Sequence, residues 1–105
     1  MKRTQFGELL DEIGIPYAFW EFDDAAPNLP YLIYYDIDPY EFYADDKTYY
    51  LSTQYGVEVY TEYKDDALQE RIQAFFNAHG MVFVHEPRYI PEEELFQEYY
   101  GVTTY

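Results

Sequence analysis

The strongest constraint on this chain is a regular alternation of side-chain polarity in the stretch Tyr55–Tyr63. Val57 and Val59 fall on one side of an extended chain there, whereas Glu58 and Tyr60 fall on the other. An alternation of period two is typical of a β-strand with one buried face and one wet face. Aromatic and β-branched side chains strengthen that prediction. The segment therefore predicts a strand near the centre of a small sheet.

A second strand is predicted at Leu29–Asp36. This stretch is nearly all apolar, which predicts a strand that is covered on both faces. Pro30 suits the first position of such a strand, where a missing donor costs little. Between the two strands lies the aromatic and acidic segment Pro39–Tyr50. It is longer than the roughly 2–5 residues of a usual hairpin connection. We expect this segment to be a protruding arm that packs on something, such as another subunit.

Two amphipathic helices are predicted, at Thr4–Ile13 and at Asp65–Gly80. Thr4 and Asp65 are suited to begin them, and Gly14 and Gly80 to end them. The apolar stripes consist of Phe6, Leu9, Leu10 and Ile13 in the first helix, and of Leu68, Ile72, Phe75, Phe76 and His79 in the second. On the second helix, Gln69 is expected to face water.

Further strands are predicted at Tyr17–Phe22, at Met81–His85 with a break at Pro87, and at Leu95–Val102. The order of elements predicts an α+β fold: a small, mainly antiparallel sheet of about four or five strands. Both helices are expected on one face of this sheet, and the arm at about residues 39–50 protrudes. At 105 residues the chain is expected to be a single domain, residues 1–105.

The net charge of −15 narrows the choice of partners, because it rests on 21 Asp and Glu against 6 Lys and Arg. Direct binding to nucleic acid needs clustered cations, and anionic membranes repel the same sign of charge. We therefore expect no nucleic-acid binding and no membrane association. The chain contains no cysteine, and Met1–Arg3 is not followed by an apolar run. A disulfide and a signal peptide are therefore not predicted, and we expect a protein made in the cytoplasm.

Catalytic and metal-binding chemistry is not predicted. The acidic pairs, such as Asp23-Asp24 and Asp65-Asp66, fall where turns and helix caps need Asp. Asp36 and Asp38 share one face of an extended chain but lack the glycine and distal glutamate of a calcium loop. The two histidines, at positions 79 and 85, have no cysteine or closely spaced histidine to form a zinc site. The expected protein is not an enzyme and has no cofactor.

Three stretches together resemble a family of small proteins from the head–tail module of long-tailed phages and prophages. They are Leu29–Tyr35, Phe42–Tyr49 and Val57–Thr61, and the helix Asp65–Gly80 follows them as in that family. The family comprises tail terminator, or tail-completion, proteins, which close the tail tube and join it to the head. The resemblance covers about residues 5 to 100. It implies an α+β subunit that assembles into a ring, with six copies as the expected number.

The resemblance implies that the partners are other copies of the chain, the tail tube and the head-closure protein. It places the protein in the host cytoplasm during assembly and then in the virion tail. The expected subunit interface comprises the arm residues Phe42, Tyr43, Asp45, Asp46 and Tyr49. Two alternatives remain open: an acidic DNA mimic that occupies the basic cleft of a DNA-binding protein, and an antitoxin or immunity protein paired with a basic toxin.

The arm generates a first prediction. Replacing Phe42 and Tyr43 together by Ala should abolish self-association and leave the monomer folded, because the arm supplies the specific apolar contact. Light scattering across a salt series measures the association, and circular dichroism measures the fold. A double variant that assembles like the unmodified protein would exclude the arm from the interface.

Overall fold

The computed structural model describes residues 1–37 and 52–105. The predicted arm and its five interface residues lie outside these ranges. The described elements are α1 (Arg3–Leu10) with a 3₁₀ turn (Asp11–Ile13), β1 (Tyr17–Phe19), β2 (Tyr31–Ile37), β3 (Thr53–Thr61), α2 (Asp66–Ala78), β4 (Val82–Ile90) and β5 (Leu95–Thr104).

The five strands form one sheet in the order β1-β2-β3-β5-β4. All neighbouring pairs are antiparallel except β1 and β2, which run parallel. The predicted α+β class and the mainly antiparallel sheet are confirmed. The alternating stretch forms β3, the middle strand, as predicted. β5 is also an interior strand, and it pairs with β3 from Phe96 to Thr104 and with β4 from Leu95 to Thr103.

The core lies between one face of the sheet and the two helices. Phe6 of α1 stacks on Tyr55 with ring centroids 4.3 Å apart, and Phe76 of α2 meets Tyr100 edge-on at 5.3 Å. The buried apolar side chains are Phe6, Leu10, Ile13, Leu32, Tyr34, Tyr55, Val57, Val59, Leu68, Ile72, Phe75, Phe76, Met81, Tyr100 and Val102. Most of the apolar stripe predicted for each helix is in this set, which fixes the face that each helix turns to the sheet.

The helix ends follow local chemistry. The Asp65 carboxylate accepts a hydrogen bond from the Leu68 amide at 3.1 Å, as expected of an N-cap. Gly14 and Gly80 have φ angles of 85° and 68°, the left-handed conformation that ends a helix most easily at glycine. The cap predicted at Thr4 is wrong. Helix α1 already begins at Arg3, and its N-cap is Lys2, whose side chain makes no capping bond.

The prediction that β2 is covered on both faces is also wrong. Leu32 and Tyr34 are buried under the helices, but Tyr31, Ile33 and Tyr35 on the other face are only partly buried. Tyrosine can stay half-exposed because its ring is apolar while its hydroxyl group is satisfied by water or a polar partner. An apolar run of tyrosines therefore does not require two covered faces.

The limits of β1, β4 and β5 differ from the predictions. β1 ends at Phe19 because Trp20 adopts a φ angle of 67°. β4 continues through Pro87 to Ile90, since an edge strand tolerates a residue without an amide donor. β5 extends past Gly101 to Thr104, where the Thr104 hydroxyl donates to the Thr53 carbonyl at 3.2 Å.

Gln69, which was expected to face water, is buried in α2 at 4% exposure. Its Oε1 accepts a hydrogen bond from the Tyr100 hydroxyl at 2.8 Å, and Gln73 Nε2 donates to the same hydroxyl at 3.1 Å. Gln69 was predicted to face water because its side chain is polar. The Tyr100 phenol of β5, however, lies beneath α2 and requires a hydrogen-bond acceptor there.

The core generates the second prediction. Phe76→Ala should lower the free energy of unfolding by about 3–5 kcal/mol, because it removes a fully buried ring and leaves a cavity between α2 and Tyr100. Tyr63→Ala is the control, since Tyr63 is 63% exposed, and it should cost less than about 0.5 kcal/mol. Chemical denaturation measures both. Equal effects would show that α2 does not anchor the core.

Candidate functional site

The sheet face opposite the helices, here called the second face, carries a layer of polar and aromatic side chains outside the core. No helix among residues 1–37 and 52–105 packs on it. The strand registers place its side chains in three rows: Tyr35, Gly56, Gly101 and Val84; Ile33, Glu58, Tyr99 and Glu86; and Tyr31, Tyr60, Gln97 and Arg88. The second face is the candidate interaction surface.

Glu58 is the centre of the hydrogen bonds on the second face. The Tyr35 hydroxyl donates to one carboxylate oxygen of Glu58 at 2.6 Å, and the Tyr60 hydroxyl donates to the other at 2.7 Å. Gln97 Nε2 in turn donates to the Tyr60 hydroxyl at 2.9 Å. A carboxylate that accepts two phenol protons fixes both rings on the surface. The rings are therefore held in place before any partner arrives.

Arg88 extends this polar network to the edge of the sheet. Its guanidinium donates to Glu86 at 3.2 Å and lies over the ring of Tyr99, with 5.6 Å between Cζ and the ring centroid. It also lies within 3.5 Å of the Gln97 side-chain oxygen. The only arginine on this face is thus engaged by neighbours on its own chain, among the residues described.

A second group of rings covers the centre of the sheet. Trp20 stacks on Tyr35 with centroids 4.6 Å apart and an interplanar angle of 19°. Tyr35 lies directly over Gly56, and a methyl group at position 56 would collide with its ring. Glycine at position 56 is therefore needed for Tyr35 to lie flat on the sheet and to support Trp20.

The environment raises the pKa of both phenols that bind Glu58. For Tyr35 and for Tyr60, burial is the larger cause, and the hydrogen bond to the Glu58 carboxylate is the next. In the core, burial also raises the pKa of Tyr55 and of Tyr100 to about 12. All four phenols are therefore neutral near neutral pH and available as hydrogen-bond donors.

An ionic cluster around the buried carboxylate of Glu98 lies on the helix side of the sheet. Glu98 is 1% exposed, and its carboxylate is 2.8 Å from Lys64 Nζ and 2.7 Å from His85 Nε2. The His85 ring stacks on Tyr100 at 4.5 Å. A carboxylate buried this deeply needs such partners, so this cluster ties β5 to β4 and to the residues before α2.

Strand β4 presents an open edge and exposed apolar groups on both sides of the sheet. Val82 and Val84 are each 56% exposed on the second face, and Tyr89 is 53% exposed on the helix side. Among residues 1–37 and 52–105, only one edge of β4 is paired, with β5. We call this surface the β4 strip. Nine residues of open strand edge are typical of a site where another chain can bind.

The structure does not test the five predicted interface residues, since all of them lie outside the described ranges. The groups of the second face were not predicted as a site, although the alternation did place Glu58 and Tyr60 on the same side. His79 and His85 lie apart, and each pairs with a glutamate, Glu12 at 3.0 Å and Glu98 at 2.7 Å. Within residues 1–37 and 52–105, no group of three acidic or histidine side chains is arranged to hold a metal ion.

The described part of the chain is thus an α+β fold with a helix-covered face and a second, aromatic and acidic face. None of its described helices combines the length and apolarity needed to cross a membrane. Comparison with protein-family models finds no matching family, and comparison with curated proteins finds no significant match.

The network around Glu58 generates the third prediction. Glu58→Gln should lower the pKa values of Tyr35 and Tyr60. Both values should stay above the ordinary pKa of tyrosine, because burial persists. When folding raises the pKa of a tyrosine, the protonated phenol stabilises the folded state. This stabilisation is complete below the unfolded-state pKa of about 10, and it is lost as the pH rises through the folded-state pKa. The variant should therefore ionise both folded tyrosines at a lower pH, and its unfolding free energy should fall less steeply above about pH 10.

NMR of isotope-labelled tyrosine Cζ atoms across an alkaline titration measures the two pKa values. Glu86→Gln is the matched control, because it removes a carboxylate from the same face without touching either phenol. If the two variants titrate alike, Glu58 does not set the protonation of these rings.

Proposed function

We propose that this protein is a structural subunit of a phage or prophage tail, a tail terminator that forms a ring at the tail-to-head junction. The resemblance of Leu29–Tyr35, Phe42–Tyr49 and Val57–Thr61 to that family supports the proposal, and so does the α+β fold with a mainly antiparallel sheet. In this role the protein catalyses no reaction. Its partners are copies of itself, the tail tube and the head-closure protein.

The β4 strip is the observation that carries the proposal. Exposed apolar groups beside an unpaired strand edge favour contact with another protein chain. The proposed occupant is a neighbouring copy of the same chain. A closed ring needs a head-to-tail contact between two different patches, so the β4 strip of one subunit must meet another surface of the next. The predicted arm residues Phe42, Tyr43 and Tyr49 are our candidates for that second patch.

The charge of the chain fits this role and sets a condition on assembly. Subunits that each carry −15 repel one another, and the Debye length at physiological salt is about 8 Å. Ring closure should therefore be favoured by higher salt, divalent cations or the tail-tube partner. A carboxylate-lined wall offers the phosphates of passing DNA nothing to bind. We propose that this is why a protein beside the DNA path is so acidic.

The fourth prediction tests the β4 strip. Val84→Arg should weaken each subunit contact by roughly 2 kcal/mol, about a 30-fold loss, because it places a desolvated charge in an apolar contact. Ala74→Arg is the matched control, since Ala74 is exposed on the outer side of α2 and the change in net charge is the same. Light scattering across a salt and magnesium series should show rings for the unmodified protein and the control, but monomers for Val84→Arg.

If the unmodified protein stays monomeric under every condition and fails to bind purified tail tubes, the terminator proposal is wrong. If Val84→Arg assembles like Ala74→Arg, the ring uses a different surface.

An acidic inhibitor of a basic protein is the second candidate, as a DNA mimic or as an antitoxin or immunity protein. It is favoured by the network of carboxylate and phenol groups centred on Glu58 on the second face, in a chain with a net charge of −15. Such a protein acts as a monomer or dimer on a basic partner. Assembly state thus distinguishes the two functions: a ring in high salt supports the terminator, whereas a stoichiometric complex between a monomer and a basic protein supports the inhibitor.

A further inference from the structure

A cavity of about 340 Å³ opens at the end of the second face where β2 begins and β3 ends. Its apolar lining is aromatic and aliphatic, contributed by Trp20, Phe22, Tyr31, Tyr60 and Ile33. Ala26 and three carboxylates, those of Glu21, Asp24 and Glu93, also line it. The cavity thus combines flat π surfaces with negative charge.

The aromatic walls are fixed by contacts with one another. Phe22 meets Tyr31 edge-on, with centroids 5.4 Å apart and an angle of 89°, and Tyr31 lies 5.2 Å from Tyr60. Trp20 remains 53% exposed although it stacks on Tyr35. An aromatic face that is fixed in place and open to solvent attracts a cation through its quadrupole.

The backbone holds Trp20 in an uncommon conformation. Its φ angle of 67° is rare for a bulky residue, and its amide donates to the Tyr34 carbonyl at 2.9 Å. The next amide, that of Glu21, donates back to Phe19 at 2.8 Å. The left-handed conformation of Trp20 ends β1 at Phe19, and the indole lies on the second face, stacked on Tyr35 beside the cavity.

The carboxylates of the cavity have no cation among the described residues. None of Glu21, Asp24 and Glu93 forms an ion pair with a side chain among residues 1–37 and 52–105. The negative charge of Glu93 acts on Tyr31 in the cavity wall. Burial is the larger cause that raises the pKa of Tyr31, and the charge of Glu93 is the second. Unpaired carboxylates beside aromatic faces are complementary to a cationic group.

We propose that this cavity binds the guanidinium group of an arginine on a basic segment of a partner protein. Arginine fits better than lysine because its planar group can stack on Trp20 or Tyr31 while it donates paired hydrogen bonds to a carboxylate. A guanidinium also gives up water more easily than an ammonium group. The cavity has room for the end of one such side chain.

The partner is a different protein, because all three arginines of this chain already make contacts within it. Four of the five basic side chains in the described ranges have contacts within the chain. They are Arg3 over Phe19 at 4.6 Å, Lys64 with Glu98 at 2.8 Å, Arg71 with the Ile13 carbonyl at 2.9 Å, and Arg88 with Glu86 at 3.2 Å. The inference concerns a single subunit, so it stands whether or not the protein forms a ring.

The test uses Trp20 as the reporter, since it is the only tryptophan in the chain. The probe is acetyl-Gly-Arg-Gly-amide, titrated at about 0.15 M salt. The matched probe replaces arginine by citrulline, which has the same shape without the charge. We expect saturable changes in Trp20 fluorescence and in its indole N–H resonance with the arginine peptide, and no saturable change with the citrulline peptide.

Charge removal locates the binding. The double variant Asp24→Asn, Glu93→Gln should lower the association constant about fivefold, as expected for two exposed ionic contacts. The control is Glu8→Gln, Glu70→Gln, which removes two exposed charges from the helices and should change the constant less than twofold. Circular dichroism verifies the fold, and the single variant Glu93→Gln replaces the double one if that fails to fold.

Three outcomes would overturn the proposal. The first is that the citrulline peptide binds as well as the arginine peptide. The second is that the helix-side control weakens binding as much as the cavity variant does. The third is that neither Trp20 signal changes up to about 10 mM peptide. Because none of these readouts depends on assembly, failure here and failure to form a ring are separate results.

Discussion

The packing of α1 and α2 against one face of β3 and β5 is the interaction on which the rest of this structure depends. Phe6 on Tyr55 and Phe76 against Tyr100 join each helix to an interior strand. Among residues 1–37 and 52–105, two helices cover one face of a five-stranded sheet, and no helix packs on the other face. Since the core is complete on that side, the opposite side is available for groups that the core would not tolerate.

The second face shows how so many aromatic residues can be kept in a chain of this size. Hydroxyl groups directed at Glu58 make Tyr35 and Tyr60 part of a polar network, while their rings still cover the sheet. Trp20 continues that layer to the cavity. The same arrangement concentrates negative charge beside aromatic surfaces, a combination suited to a basic partner. The proposed contact with a like-charged copy instead uses the β4 strip, where Val82 and Val84 are exposed.

Local patterns were sufficient for the elements whose signals are contained in a few neighbouring residues. The alternation around Val57 and Val59 predicted β3, the spacing of Ile72 and Phe76 predicted the buried side of α2, and Asp65 and Gly80 predicted its ends. Such signals work because the period of the backbone decides which side chains share a face. The prediction at Gln69 failed, since its partner Tyr100 lies 31 residues away.

The sequence by itself determined the α+β class, the middle strand, the helix stripes and the sign of the charge, because each depends on composition or on contacts close along the chain. Only the tertiary structure decided which face of β2 stays uncovered, that β1 runs parallel, and that Pro87 lies in an edge strand. It also brought Trp20, Tyr31, Tyr60 and Glu93 around one cavity. These outcomes depend on strand order and register, which join residues far apart in sequence, and no local period encodes them.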